Sequence, residues 1–264
     1  MLAVLDRPEV SRVLFHPRGD YGLIARSGVQ RVSFDVEPDV AVGGRLYPAT
    51  PRAPAILYFH GNGEIAADYD ALAPLYVGLG ITLLVADYRG YGASGGTPTA
   101  GHLLVDAVKT YEALDGIFRE HALDPTRLYV MGRSLGSAAA LEVAVHAEEA
   151  LAGLIIESGF ADTFALLARL GVRIIGADDA RDGFGNLEKI NQVTLPTLIL
   201  HGEEDVLIPP IDGQTLYKHS AAEEKELVLI PYAGHNDIML VGRERYFQSV
   251  REFVSRAHDL VKHA

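Results

Sequence analysis

The sequence predicts an α/β fold: a mostly parallel central sheet with helices on both faces. Three observations carry that expectation. Short, almost wholly apolar runs recur along the chain, as in strands buried on both faces. Stretches of helical character separate them, and consecutive parallel strands need such crossovers. The chain has 264 residues, 48% of them hydrophobic, which fits one large domain over 1–264 better than two small ones.

Residues 1–28 show no clear periodicity. Residues 31–37 (RVSFDVE) alternate and read as a strand, with 42–48 (VGGRLYP) as its partner across a turn at Pro38–Asp39. The first buried strand is 55–59 (AILYF), and a helical stretch follows at 64–79. The series continues with ITLLVA (81–86), LYVM (128–131), LAGLII (151–156), TLILH (197–201) and ELVLIP (226–231). Further helical stretches read at 101–121 and 162–170, and an amphipathic helix closes the chain at 242–261. The interval between Gly159 and Pro196 breaks the rhythm. Long connections tend to be functional, so 160–190 reads as a lid or cap over a site.

Charge and composition exclude several functions. The chain carries 23 basic and 35 acidic residues, a net charge of -12 at pH 7. Nucleic acid and anionic lipid are repelled on average. The absence of cysteine excludes disulfides, thiolate catalysis and cysteine-based zinc sites. There is no P-loop, no H-E-x-x-H and no EF-hand pattern, and no metal or organic cofactor is expected. No apolar run has the length of a membrane span, and MLAVLDRPEVSR has no basic region followed by an apolar one. A cytoplasmic protein without integral membrane association is the expectation.

The strongest local signal is Gly132-Arg133-Ser134-Leu135-Gly136, a G-x-S-x-G match between the strand 128–131 and a helix-forming run, SAAALEVAVHAEEA. A nucleophile elbow requires that strand–turn–helix setting, with the serine hydroxyl lifted clear of the sheet. The helix start presents free backbone N–H groups and a positive field, both favourable to a developing oxyanion. Ser134 is therefore the candidate nucleophile.

A general base is expected in the loop beyond a strand's carboxyl end, where ligand-facing groups lie in open α/β sheets. His235, in Tyr232-Ala233-Gly234-His235-Asn236-Asp237, occupies such a loop after 226–231. Asp205, in His201-Gly202-Glu203-Glu204-Asp205, follows the 197–201 strand and is the candidate acid, with Glu203 and Glu204 as neighbours able to serve if the turn is offset. The chain order nucleophile, acid, base differs from the subtilisin-like and chymotrypsin-like orders. His60 reads as orienting the adjacent loop, His201 as structural beside the acid turn, and Glu157 as a structural carboxylate. The turn His60-Gly61-Asn62-Gly63-Glu64 offers one oxyanion N–H, from Asn62 with Gly63 in reserve, and Leu135 offers the other. Gly90 to Gly95 matches G-x-G-x-x-G, but Gly96-Thr97-Pro98-Thr99 continue as loop and not as the helix that a dinucleotide site needs.

Over nearly its whole length the chain resembles the α/β-hydrolase superfamily, most of all the BEM46-like and ABHD17-like serine hydrolases and the serine aminopeptidase S33-like domain family. The residues that carry this are YFHGNGE (58–64), ADYRGYGASGG (86–96), YVMGRSLGSAAALEVA (129–144), LIIESGFAD (154–162), LILHGEEDVLIP (198–209) and PYAGHND (231–237). The resemblance implies an α/β-hydrolase fold with Ser134, Asp205 and His235 as nucleophile, acid and base. It also implies oxyanion donors at Asn62 and Leu135, and a structural turn at Tyr88-Arg89-Gly90. Such families include carboxylesterases, thioesterases and peptidases. The expected reaction is hydrolysis of a small-molecule ester or thioester through an acyl-enzyme, with Phe160, Phe164, Leu167 and Ile208 lining an acyl pocket. The rival expectations are a peptidase that holds an amino terminus with Glu64 or Asp162, and a binding protein that kept the fold without turnover.

Overall fold

A computed structural model describes residues 2–20 and 28–256. Among the described residues, eight strands form one sheet in the order β1-β2-β4-β3-β5-β6-β7-β8. They are β1 (Gln30–Glu37), β2 (Val40–Tyr47), β3 (Ala55–Phe59), β4 (Thr82–Ala86), β5 (Leu128–Arg133), β6 (Gly153–Glu157), β7 (Thr197–Gly202) and β8 (Lys225–Ile230). β2 pairs antiparallel with both β1 and β4, and every other pairing is parallel. The apolar runs become strands because both faces are covered. In β3, Ala55, Leu57 and Phe59 enter one core while Ile56 and Tyr58 enter the other. That is the two-residue period of a pleated strand.

The helices are α1 (Pro8–Leu14), α2 (Ala73–Gly78), α3 (Ala100–Glu112), α4 (Leu114–Glu120), α5 (Gly136–His146), α6 (Thr163–Arg169), α7 (Asp179–Asp182), α8 (Asn186–Ile190), α9 (Pro210–His219), α10 (Ile238–Val241) and α11 (Arg243–Ser255). No described helix is long and apolar enough to cross a membrane. α1 falls where the sequence shows no periodicity. Its proline stands in the first turn, where a missing N–H costs nothing, and Val10 and Leu14 are buried one turn apart. The stretch 64–79 divides into a 3-10 turn (Ala66–Ala71) and α2, because Pro74 cannot donate within a continuous helix. The stretch 101–121 breaks at Ala113 into α3 and α4. Of the closing helix, Arg243–Ser255 forms as expected, and 257–261 lies outside the described residues. α11 buries Tyr246, Phe247, Val250, Phe253 and Val254, each worth about 1.5–3 kcal/mol relative to exposure.

The chain leaves β3 towards β4 on one side and later returns to β5 on the other. This reversal opens a crevice at the carboxyl ends of β3 and β5, where open α/β sheets place their ligands. The 160–190 segment forms α6, α7 and α8. Asp162 caps α6 by accepting from the Ala165 N–H at 2.7 Å. Asp179 accepts from the Thr163 N–H at 3.0 Å, and the Phe184 N–H donates to Thr163 Oγ1 at 2.9 Å.

Candidate active site

β5 ends at Arg133, and the chain turns through Ser134 into α5. Ser134 has φ 52°, in the left-handed region that non-glycine residues adopt mainly under constraint. The Ser134 N–H donates to the Glu157 carbonyl at 2.9 Å, and Ser137 Oγ donates to the Ser134 carbonyl at 2.7 Å. A Cβ on Gly132 would run into the Gly136 carbonyl, and one on Gly136 into the Phe59 carbonyl. The two glycines of the motif thus let β3, β5 and α5 meet at backbone distance.

The loops after β7 and β8 bring the other two groups to this turn. His235 Nε2 lies 3.0 Å from Ser134 Oγ, and His235 Nδ1 lies 2.7 Å from Asp205 Oδ2. Asp205 Oδ1 accepts from the N–H groups of Leu207 and Ile208, at 3.0 and 2.8 Å. All three residues are buried. Burial pushes the Asp205 carboxyl up, but bonds from His201 and His235, joined by the Ile208 N–H, outweigh it and hold the carboxyl well below the usual range. A carboxylate only accepts, so the imidazole proton belongs on Nδ1 and Nε2 is left to accept from Ser134. Glu203 and Glu204, two positions and one position before Asp205, are exposed.

His201 is buried, with Nε2 2.7 Å from the Ile208 carbonyl and 3.5 Å from Asp205 Oδ2. It thereby braces the acid turn. His60 is wedged against the rings of Tyr88 and Tyr91, with Nδ1 2.8 Å from the Gly61 carbonyl. Its Nε2 lies 3.3 Å from Asp87 Oδ1, outside hydrogen-bond geometry.

The Asn62 side chain is fully occupied. Its Oδ1 accepts from the His16 N–H and the Tyr91 hydroxyl, both at 2.8 Å, and its Nδ2 lies 2.8 Å from His16 Nδ1. What it leaves for an oxyanion is its backbone N–H. The N–H groups of Asn62 and Leu135 meet no acceptor among the described residues. The Gly63 carbonyl accepts from Arg18 Nε at 2.6 Å, so an N-terminal residue also steadies this loop. Of the four expected pocket residues, Phe160, Leu167 and Ile208 are fully buried in the core. Phe164 packs against that core and keeps part of its surface exposed.

Sequence reasoning missed the contacts of Arg133, the first variable residue of the motif. Its guanidinium is buried and makes four hydrogen bonds. Nε donates to Glu157 Oε1 at 3.1 Å, Nη1 donates to Glu64, and Nη2 donates to the His235 carbonyl at 2.7 Å and to Asn236 Oδ1 at 3.0 Å. The available signal was a charged residue closing a strand whose other members are apolar or glycine. Glu157, by contrast, is the buried structural carboxylate that its position suggested, and it also accepts from Tyr246 at 2.7 Å and Tyr58 at 3.1 Å. Burial pushes its carboxyl up, and the pull of Arg133 and Tyr246 offsets this only in part. Beside Arg133 lies a cavity of about 440 Å³, walled by Leu72, Leu75, Met239 and Leu240.

A doubly wound sheet carrying a serine at a left-handed strand–helix turn, hydrogen-bonded through histidine to aspartate, defines a hydrolase of the α/β-hydrolase fold. The family described as "Serine aminopeptidase, S33" matches residues 50–176 and 185–239, and the chain belongs to it. An uncharacterized protein of Mycobacterium tuberculosis is 31% identical over 230 residues, 85% of this chain and 78% of the relative. Human alpha/beta hydrolase domain-containing protein 17B is 31% identical over 209 residues, 76% of this chain and 66% of the relative. Among solved structures, the Pyrococcus furiosus esterase Pf2001 superposes with a TM-score of 0.73 at 19% identity, covering 91% of this chain and 98% of the other. A soluble variant of the Saccharomyces cerevisiae monoglyceride lipase gives 0.68 at 17% identity, covering 89% and 98%. These two likenesses concern the fold.

Proposed function

We propose that this chain is a serine hydrolase that cleaves a small-molecule carboxylic ester or thioester through an acyl-enzyme. The observation that carries the reading is the chain of hydrogen bonds from Ser134 Oγ through His235 to Asp205, 3.0 and 2.7 Å long. Ser134 attacks the carbonyl carbon while His235 Nε2 takes its proton, and Asp205 stabilises the imidazolium. The N–H groups of Leu135 and Asn62 receive the negative oxygen of the tetrahedral intermediate. Collapse expels the alcohol or thiol with the proton from His235. Water then attacks the acyl-enzyme, His235 again acting as base, and the acid is released with Ser134 restored. The 160–190 segment shapes the acyl side, with Phe164 its most accessible aromatic. The enzyme works in the cytoplasm and takes no nucleic-acid partner, in keeping with its net charge of -12.

The family description favours a second reading, release of an amino-terminal residue from a peptide. That reaction needs an acceptor for the substrate ammonium. Glu64 is committed to Arg133, the Gly61 N–H and the Tyr69 hydroxyl, and Asp162 caps its own helix. This internal commitment supports the ester reading. Purified protein should be assayed on a p-nitrophenyl ester series and on aminoacyl-nitroanilides, with fluorophosphonate labelling of Ser134. Labelling with ester turnover is expected. Faster turnover of the nitroanilides would transfer the assignment to the peptidase, and absence of both labelling and turnover would leave a binding protein.

A further inference from the structure

We propose that Arg133 is a positioning residue that clamps the base loop and the oxyanion loop to the end of β5. The inference rests on the serine-hydrolase reading and extends it to a residue outside the triad. One arm of the guanidinium, Nη2, donates to the main-chain carbonyl of His235 itself at 2.7 Å, and to the neighbouring Asn236 side chain at 3.0 Å. The other arm, Nη1, donates to Glu64 Oε1, and Glu64 Oε2 accepts from the Gly61 N–H at 2.8 Å. Gly61 immediately precedes Asn62. A single side chain thus joins the loop that carries the base to the loop that carries an oxyanion donor. Its third point of attachment, Nε on Glu157 at 3.1 Å, anchors the fork to the end of β6.

Three features make this a device for alignment. First, the partners are distant in sequence, 69 residues to Glu64 and 102 to His235, so no local turn could hold the two loops together. Second, the loop makes room for the guanidinium. A Cβ on Gly61 would stand 2.5 Å from Arg133 Nη1, so a side chain there would force the fork away. Third, the fork geometry is specific to arginine. Planar donors pointing three ways reach two carboxylates and a carbonyl at once, whereas a lysine ammonium on a flexible stem cannot hold all three directions. Two carboxylates, Glu64 and Glu157, already pair with the guanidinium, which argues against a role as a substrate anion site. A shift of about 1 Å in either loop misaligns the base or the oxyanion donor, and misplacement of that size costs on the order of 100-fold in rate.

The test compares Arg133→Lys and Arg133→Ala with the native enzyme on one p-nitrophenyl ester. Urea unfolding and the rate of fluorophosphonate labelling at Ser134 are measured alongside. Arg133→Lys keeps the buried positive charge opposite Glu64 and Glu157 and should fold. Its kcat should fall on the order of 10–100-fold with KM within about twofold, and labelling should slow in parallel. Arg133 borders the 440 Å³ cavity, which gives a small cation a path to the vacated position. Ethylguanidinium should therefore restore part of the kcat of Arg133→Ala in a saturable way, and ethylammonium should not. Should Arg133→Ala fail to fold, Glu64→Ala cuts the same link to Gly61 and should also lower kcat about 10-fold with little change in KM. A folded Arg133→Lys with native kcat and native labelling overturns the proposal. So does a loss confined to stability or to KM. Native protein that is not labelled at Ser134 sinks the serine-hydrolase reading beneath it, an outcome distinct from native labelling that the Arg133 variants leave unchanged.

Discussion

His235 Nε2 and Ser134 Oγ lie 3.0 Å apart although 101 residues separate them, and the same imidazole reaches Asp205 through its other nitrogen. Each residue belongs to a loop at the carboxyl end of a different parallel strand, so the order and register of the strands bring the three loops together. If the three act as one unit, their losses are not additive. Ser134→Ala and His235→Ala should each cut ester kcat by several orders of magnitude, and the double variant should be little worse than either. Asp205→Asn should cost no more than Ser134→Ala. Near-normal turnover by a folded His235→Ala protein would falsify the assignment of the base.

Asp205 should also show itself in the pH dependence of stability. Its carboxyl titrates below the unfolded value of about 3.9, so its stabilisation is complete above that pH and is lost as pH falls towards the lower folded value. Asp205→Asn should therefore be less stable than the native chain at pH 7, and the gap should narrow as pH drops below about 4. Urea unfolding across pH 2–7 measures this, in the range where about 3.9 marks the unfolded carboxyl. A gap that stays constant would deny the carboxylate its role in the acid turn.

The elbow glycines are expected to be intolerant of a single methyl. Gly136→Ala sets a Cβ against the Phe59 carbonyl, a backbone atom with little room to move. Overpacking of this kind costs about 1–3 kcal/mol, and the displaced turn should take activity with it. Unfolding midpoint and ester kcat should fall together. A stable, active Gly136→Ala enzyme would mean that α5 shifts more freely than its burial implies.

Phe164 tests the 160–190 segment. It is the one expected pocket residue with surface left, while Phe160, Leu167 and Ile208 are core. Phe164→Ala should change the ratio of kcat/KM between short and longer acyl esters. If the ratio holds across the series in a folded variant, the segment does not read the acyl chain.

Much of this architecture was legible because its signals are local. Strands β3 to β7 declare themselves as short, largely apolar runs, since each is covered on both faces, while the edge strand β8 is only partly buried and shows through its apolar residues 227–230. Ser134 and His235 were visible for a related reason. A serine between close-set glycines at a strand end, and a histidine in a loop just past a strand, need only a few neighbouring residues to be recognised. Helix α1 was not visible, because its two buried residues are too few to establish a period. The two-piece form of 64–79 was encoded by Pro74, but the apolar pattern on either side of it read as continuous.

What tertiary structure decided is which of several adequate residues does what. Glu203, Glu204 and Asp205 are chemically equivalent in sequence. The turn after β7 exposes the first two and aims the third at His235, where the Leu207 and Ile208 N–H groups hold it. Likewise, strand order follows from pairings between distant segments, so the crevice between β3 and β5 could not be read from any one of them. Arg133 is the fullest case. Its partners lie 24, 69, 102 and 103 residues away, on three separate loops and strand ends. Propensity and periodicity act over a few residues and so wrote the strands and the elbow into the sequence. A buried guanidinium must find its acceptors wherever the chain brings them, and only the packed sheet determines which those are.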